Sequence, residues 1–158
     1  MLPPFLLIIK KNMKPIFRSY LVEVNLGSTA PGQGQNISIQ DYPQLRDIYL
    51  CGIIASNSAQ VAKSPSGKTV VSSLTGATLT LLDKFNQEVI FQYPCFDLNP
   101  ADQSGFYRDF VPFPLQLTKS YITILDATAF SANQSFIFNF LYLTKKDYET
   151  LQRGSARR

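Results

Sequence analysis

The chain has 158 residues, which suits one domain with a genuine hydrophobic core and leaves little room for a second. Twelve Phe and eight Tyr with no Trp favour sheet over helix, and charged residues at 16% fall well short of the usual share of about 25%, too few to cover a small monomer, so part of the surface is expected to be buried in an assembly. The net charge is +4 and there is no His, which removes Ser-His-Asp and Cys-His nucleophilic pairs, any imidazole base and the commonest metal ligand.

Residues 2–9, LPPFLLII, form an apolar run followed by Lys10 and Lys11. The run is shorter than the roughly 20 residues of a bilayer span, and its charges follow the apolar stretch, the reverse of a secretory signal, so secretion by a signal peptide is not expected. Pro3 and Pro4 block a helix beyond its first turn, so residues 1–14 read as an extended arm whose Leu2, Phe5, Leu6, Leu7, Ile8 and Ile9 dock on something. A neighbouring subunit, the exposed face of the chain's own sheet and a lipid surface all qualify. Met13 opens MKPIFRSYLVEV, a natural start in its own right.

The body is expected to span residues 15–144. Residues 16–26 alternate, with Tyr20, Val22, Val24 and Leu26 on one side and Ser19, Glu23 and Asn25 on the other, the pattern of a strand with one wet face. After the Gly- and Pro-containing GSTAPGQGQ come a short strand at 36–40 and a stronger one at 48–55, where Gly52 marks a bulge or bend. Residues 62–69, AKSPSGKT, imitate a phosphate-binding loop, but Ala62 stands where Gly is required and no helical pattern follows, so a hairpin loop is the expectation.

Strands are expected at 69–74, 77–83 and 88–93, separated by Thr75-Gly76 and by residues 84–87. In the loop at 94–105, Asp97, Asn99 and Asp102 lack the alternating spacing and closing Glu of a calcium hand and are assigned to turns and caps. Residues 106–113 read as a strand that leaves its sheet near Val111, because Pro112 and Pro114 would interrupt a ladder. A separate strand is expected at 120–126 and a turn at 128–133.

Residues 134–144, QSFIFNFLYLT, carry Phe136, Phe138, Phe140 and Tyr142 on one face and Ile137, Asn139, Leu141 and Leu143 on the other. This is the pattern of a central strand with its Phe face in the core, whose second face must be covered by a loop, a terminal segment or another chain. Cys51 and Cys95 lie in apolar strand-like contexts and are expected as buried inert thiols, with a bridge between neighbouring strands as the alternative. Residues 145–158 form a basic tail containing Lys145, Lys146, Tyr148, Arg153, Arg157 and Arg158, with a helical turn around Tyr148 and Leu151, loosely held unless a partner orders it. Basic ends on a neutral body suit an anionic partner or plain solvation; no interleaving of basic and aromatic residues marks a nucleic-acid platform.

Strands at short regular spacing without helical periods predict an all-β fold: a single-domain sandwich of eight to nine antiparallel strands, with a jelly roll preferred over an immunoglobulin order. The apolar arm, compact low-charge body and basic tail, together with the run IFQYPCFDLNPADQSGFYRDFVPFPLQLTKSYITILDATAFSANQSFIFNFLY, resemble single jelly-roll capsid proteins at the vertices of tailless, membrane-containing icosahedral bacteriophages. The resemblance implies a structural virion protein and not an enzyme: a penton with five copies around each fivefold vertex, assembled in the host cytoplasm. It also implies contacts with the major capsid protein, and with an internal membrane or spike, made by the arm and tail residues named above, with no cofactor or small-molecule substrate. The alternative is a β-sandwich that binds a glycan or receptor.

Overall fold

The computed structural model describes residues 14–57, 75–99 and 108–156. The expected arm at 1–14 apart from Lys14, the loop at 62–69, the strand at 69–74, Asp102, Arg157 and Arg158 lie outside them. Seven strands follow in order: β1 (Arg18–Asn25), β2 (Asn36–Ser38), β3 (Ile48–Asn57), β4 (Ala77–Asp83), β5 (Glu88–Pro94), β6 (Arg108–Ile124) and β7 (Ser135–Thr144), and one helix, α1 (Lys145–Ser155), closes the described chain.

All pairings are antiparallel, and they sort into two sheets that share β6. One sheet runs β1-β7-β3-β6, using the first part of β6, and the other runs β2-β6-β4-β5, using its second part. The fold is an all-β sandwich. Its core is the two inner faces: Val22, Val24, Leu50, Ile53, Phe136, Phe138 and Phe140 from the first sheet meet Leu79, Leu81, Ile90, Leu115, Ile122 and Ile124 from the second. The β7 ladder between β1 and β3 places the Phe face inward as its alternation requires, with Phe136 and Phe138 stacked at 6.1 Å between ring centroids.

Two irregularities keep this inner face apolar where strict alternation would break it. In β3, Leu50 and Ile53 are both fully buried although three residues apart, an odd spacing that sends one of them outward in a regular strand. A bulge at Cys51 supplies the missing half-period, since Leu50 and Gly52 lie opposite the adjacent Tyr142 and Leu141. In β6 the same problem arises between Leu117 and Ile122. The β4 register slips between Thr80 and Leu82, and the buried Ser120 fills the gap: its Oγ accepts from the Leu82 N–H at 3.1 Å and donates to the Gln116 carbonyl at 2.9 Å.

β6 corrects the sequence expectation of two strands, one at 106–113 and another at 120–126. It is one strand of 17 residues. Pro114 stands opposite Tyr49 in the first sheet, the next residue, Leu115, stands opposite Asp83 in the second, and the Pro114 carbonyl accepts from the Lys84 N–H at 3.1 Å. The prolines therefore sit where the strand passes from one ladder to the other, so their missing N–H groups cost no regular bond, and the chain bends without ending. Gly76 serves a second tight passage: a Cβ there would lie 2.9 Å from that of Ala129, while its carbonyl takes the Leu125 and Asp126 N–H groups.

Phe138→Ala is expected to destabilise the protein by about 3 to 5 kcal/mol, as loss of a fully buried aromatic side chain does. Ser120→Ala, which orphans the Leu82 N–H inside the sandwich, is expected to cost about 1 to 3 kcal/mol. Denaturant melts of both variants check these values, and a loss below about 1 kcal/mol for Phe138→Ala would place that ring outside the core.

Candidate functional site

The basic tail is better held than its sequence suggests. Thr144 and Asp147 form a reciprocal cap at the start of α1: the Thr144 Oγ1 accepts from the Asp147 N–H at 3.3 Å and donates to the Asp147 carboxylate at 2.8 Å. Arg18, at the first position of β1, donates to the same carboxylate oxygen at 2.6 Å. The next residue, Tyr148, stacks on Tyr49 with ring centroids 3.9 Å apart and planes 9° from parallel. The expectation of a loose tail is thus corrected over residues 145–156, where cap, ion pair and ring stack fasten an 11-residue helix over the outer face of the β1-β7-β3-β6 sheet.

Of the tail residues expected to meet partners, Lys145, Lys146 and Arg153 are exposed on α1, whereas Tyr148 is half-buried and its ring is taken by Tyr49.

Surface apolar residues gather elsewhere, at a place the sequence did not single out. The β4–β5 turn is built by Asp83, whose buried carboxylate accepts from the N–H groups of Phe85 and Gln87 at 2.8 and 2.9 Å, with Asn86 in the left-handed region at φ 60°. That turn holds Phe85 out at 76% exposure, and Val89 and Phe91 on β5 are also exposed. β5 pairs only with β4, so its other edge meets no strand among the described residues. The opposite end of the strand path is treated differently: the Tyr42 phenol accepts from the Glu23 N–H at 3.0 Å and donates to the Glu23 carbonyl at 2.9 Å, covering the outer edge of β1 at its middle.

A second feature is a polar cleft of about 430 Å³ lined by Asp41, Tyr42, Arg46, Asp47, Lys84, Gln116 and Thr118. Its charges are paired, Arg46 with Asp41 and Lys84 with Asp47. The side-chain hydrogen bonds from these cations hold both carboxyls below their ordinary range. Such a cleft offers donors and acceptors to a polar ligand and carries no base raised towards neutrality.

Cys51 and Cys95 are both buried and free. Desolvation pushes the Cys51 thiol up to about 11 and that of Cys95 higher still, so neither is a thiolate near neutral pH. Asn99 is buried and donates to the Ala55 carbonyl at 2.8 Å, a structural tie between the turn at Cys95–Leu98 and β3, while Asp97 is exposed. Among the described residues no three His, Cys, Asp or Glu side chains are grouped to hold a metal ion, and no helix is long and apolar enough to cross a membrane.

The Asp147 carboxyl is held below its ordinary value, first by the Thr144 hydroxyl and then by Arg18. Its contribution is therefore complete above the unfolded value of about 4 and is lost as pH falls through the lowered folded value. The stability difference between wild type and Asp147→Asn is expected to be present at neutral pH and to shrink as pH falls below that of an ordinary carboxylate. Paired denaturant melts across this range check it; a difference that stays constant with pH would remove the ionised carboxylate from the anchoring of α1.

No family model matches the chain, and no curated protein or solved structure is significantly similar to it.

Proposed function

We propose that this chain is a structural subunit of a protein shell, a vertex-type capsid protein that assembles around fivefold axes of a virion and contacts the major capsid protein. The observation that carries this reading is connectivity. Among the described residues, counting the two parts of β6 as separate passes gives eight passes, ordered first-eighth-third-sixth in one sheet and second-seventh-fourth-fifth in the other. That order suits a double-sheet jelly roll, an architecture that capsid and lectin domains share. The sequence resemblance favours the capsid branch, and so do the sparse charge and the apolar turn and edge at Phe85, Val89 and Phe91, which suit burial against a neighbouring subunit. In this reading the protein performs no catalysis.

The polar cleft favours the lectin branch as a second reading, a glycan- or receptor-binding module. Asp41, Gln116 and Thr118 there are of the types that bond sugar hydroxyls.

Native mass by light scattering across micromolar concentrations separates the two. The shell reading expects a pentamer, reduced to a monomer by Phe91→Asp with an unchanged far-ultraviolet circular dichroism spectrum. A wild type that stays monomeric at every concentration and binds a glycan array through the cleft, with binding lost in Asp41→Ala, would replace the shell reading with the second.

A further inference from the structure

The outer face of the β1-β7-β3-β6 sheet is incomplete among the described residues. Helix α1 covers only the end near Tyr49 and Leu143. Beyond it Leu21 is 62% exposed, and Ile54, Asn139 and Leu141 are half-buried and face outward. Beside α1 this face opens into a groove of about 370 Å³, lined among others by Phe17, Pro112, Leu141 and Leu151. In the middle of the face the Asn139 Oδ1 is buried yet accepts no hydrogen bond from any described residue. A buried acceptor left empty on a sheet costs stability unless a donor reaches it. Apolar neighbours and one orphaned acceptor call for an occupant with apolar side chains and a free N–H, which is what an extended peptide segment supplies.

We propose that residues 2–9 of the same chain occupy this face, folded back over β7 so that a backbone N–H reaches Asn139. Three observations favour this occupant. The first is position: β1 begins at Arg18, opposite Tyr142 and beside α1, and Phe17, the residue before it, already lines the groove. The second is length. Thirteen residues precede Lys14; extended they reach roughly 45 Å, and eight of them about 27 Å, against roughly 33 Å for a ten-residue strand such as β7. The third is chemistry. LPPFLLII is apolar on both alternating sides, the two prolines keep its start extended, and the Lys10 and Lys11 that follow it in sequence complement the acidic Asp109 of the groove lining. A tethered segment that can reach its seat acts at millimolar effective concentration, which favours the chain's own segment over one from a second copy.

Labelling of a cysteine placed on the face tests this, because Leu21 lies beneath the proposed segment and Phe85 lies far from it on the β4–β5 turn. Leu21→Cys and Phe85→Cys are each made in the full-length protein, in a deletion of residues 2–9, and in a full-length variant carrying Leu6→Asp and Ile8→Asp, which keeps the chain length if the deletion fails to fold. Maleimide labelling and light-scattering mass are read together at several protein concentrations. The expected result is labelling at position 21 slowed by about tenfold or more in the full-length protein, as a tethered segment with millimolar effective concentration imposes. The slowing is independent of protein concentration, is lost in both altered backgrounds, and is absent at position 85. Equal rates at position 21 in all backgrounds overturn the proposal. Protection that appears only as concentration and mass rise together also overturns it, giving the face to a second copy; protection that needs added lipid vesicles overturns it in favour of a membrane surface. The pentamer of the shell reading can fail without affecting any of these rates.

Discussion

The structure depends on one strand belonging to two sheets. β6 enters beside β3 and leaves beside β4 and β2, so the two layers of the sandwich are joined by covalent chain as well as by their packed faces. Everything that sets the spacing of the layers follows from where it crosses. Pro112 and Pro114 fix the bend, the Lys84 N–H bonded to the Pro114 carbonyl carries the β4–β5 turn towards it, and the polar cleft forms where residues 41–47, Lys84 and residues 115–118 converge at that bend. The cleft is thus a by-product of the crossing, lined by groups that come from remote parts of the sequence.

The inner faces are made apolar by departures from regularity as much as by alternation. Cys51 and Ser120 each stand at a place where the register slips by an odd number of residues, one at Cys51 and three at Ser120, and each slip returns a large aliphatic residue to the core. The two residues solve the leftover polar groups differently. Ser120 uses its hydroxyl to bond both strands across the gap, while the Cys51 thiol donates to the Tyr49 carbonyl at 3.5 Å and meets the Leu143 backbone.

Much of this was legible in the sequence, and what was not has identifiable causes. The Phe side of β7 follows from a period of two sustained over ten residues, β1 from the same rule, and the bend in β3 from Gly52 inside an apolar run. β6 reads as two strands because proline usually ends a strand, whereas here it marks a change of partner. α1 was under-read because its holding residues are polar or aromatic and lie far apart in sequence: Arg18 and Tyr49 are supplied by strands 129 and 99 positions away from Asp147 and Tyr148. The Phe85, Val89 and Phe91 surface was not found because an alternating strand looks the same whether its second side meets water or a neighbour.

The phenol of Tyr42 on the Glu23 backbone has a consequence for growth. A row of strands that can be extended at both ends is the template for a fibre, in which each body adds another without limit. Here the β1 edge of one sheet is occupied by a side chain of the same body, so that sheet does not grow by strand addition at β1. An assembly built on this side is held by side-chain surfaces, whose shape fixes an angle between neighbours, and a fixed angle closes a ring where an open ladder would run on.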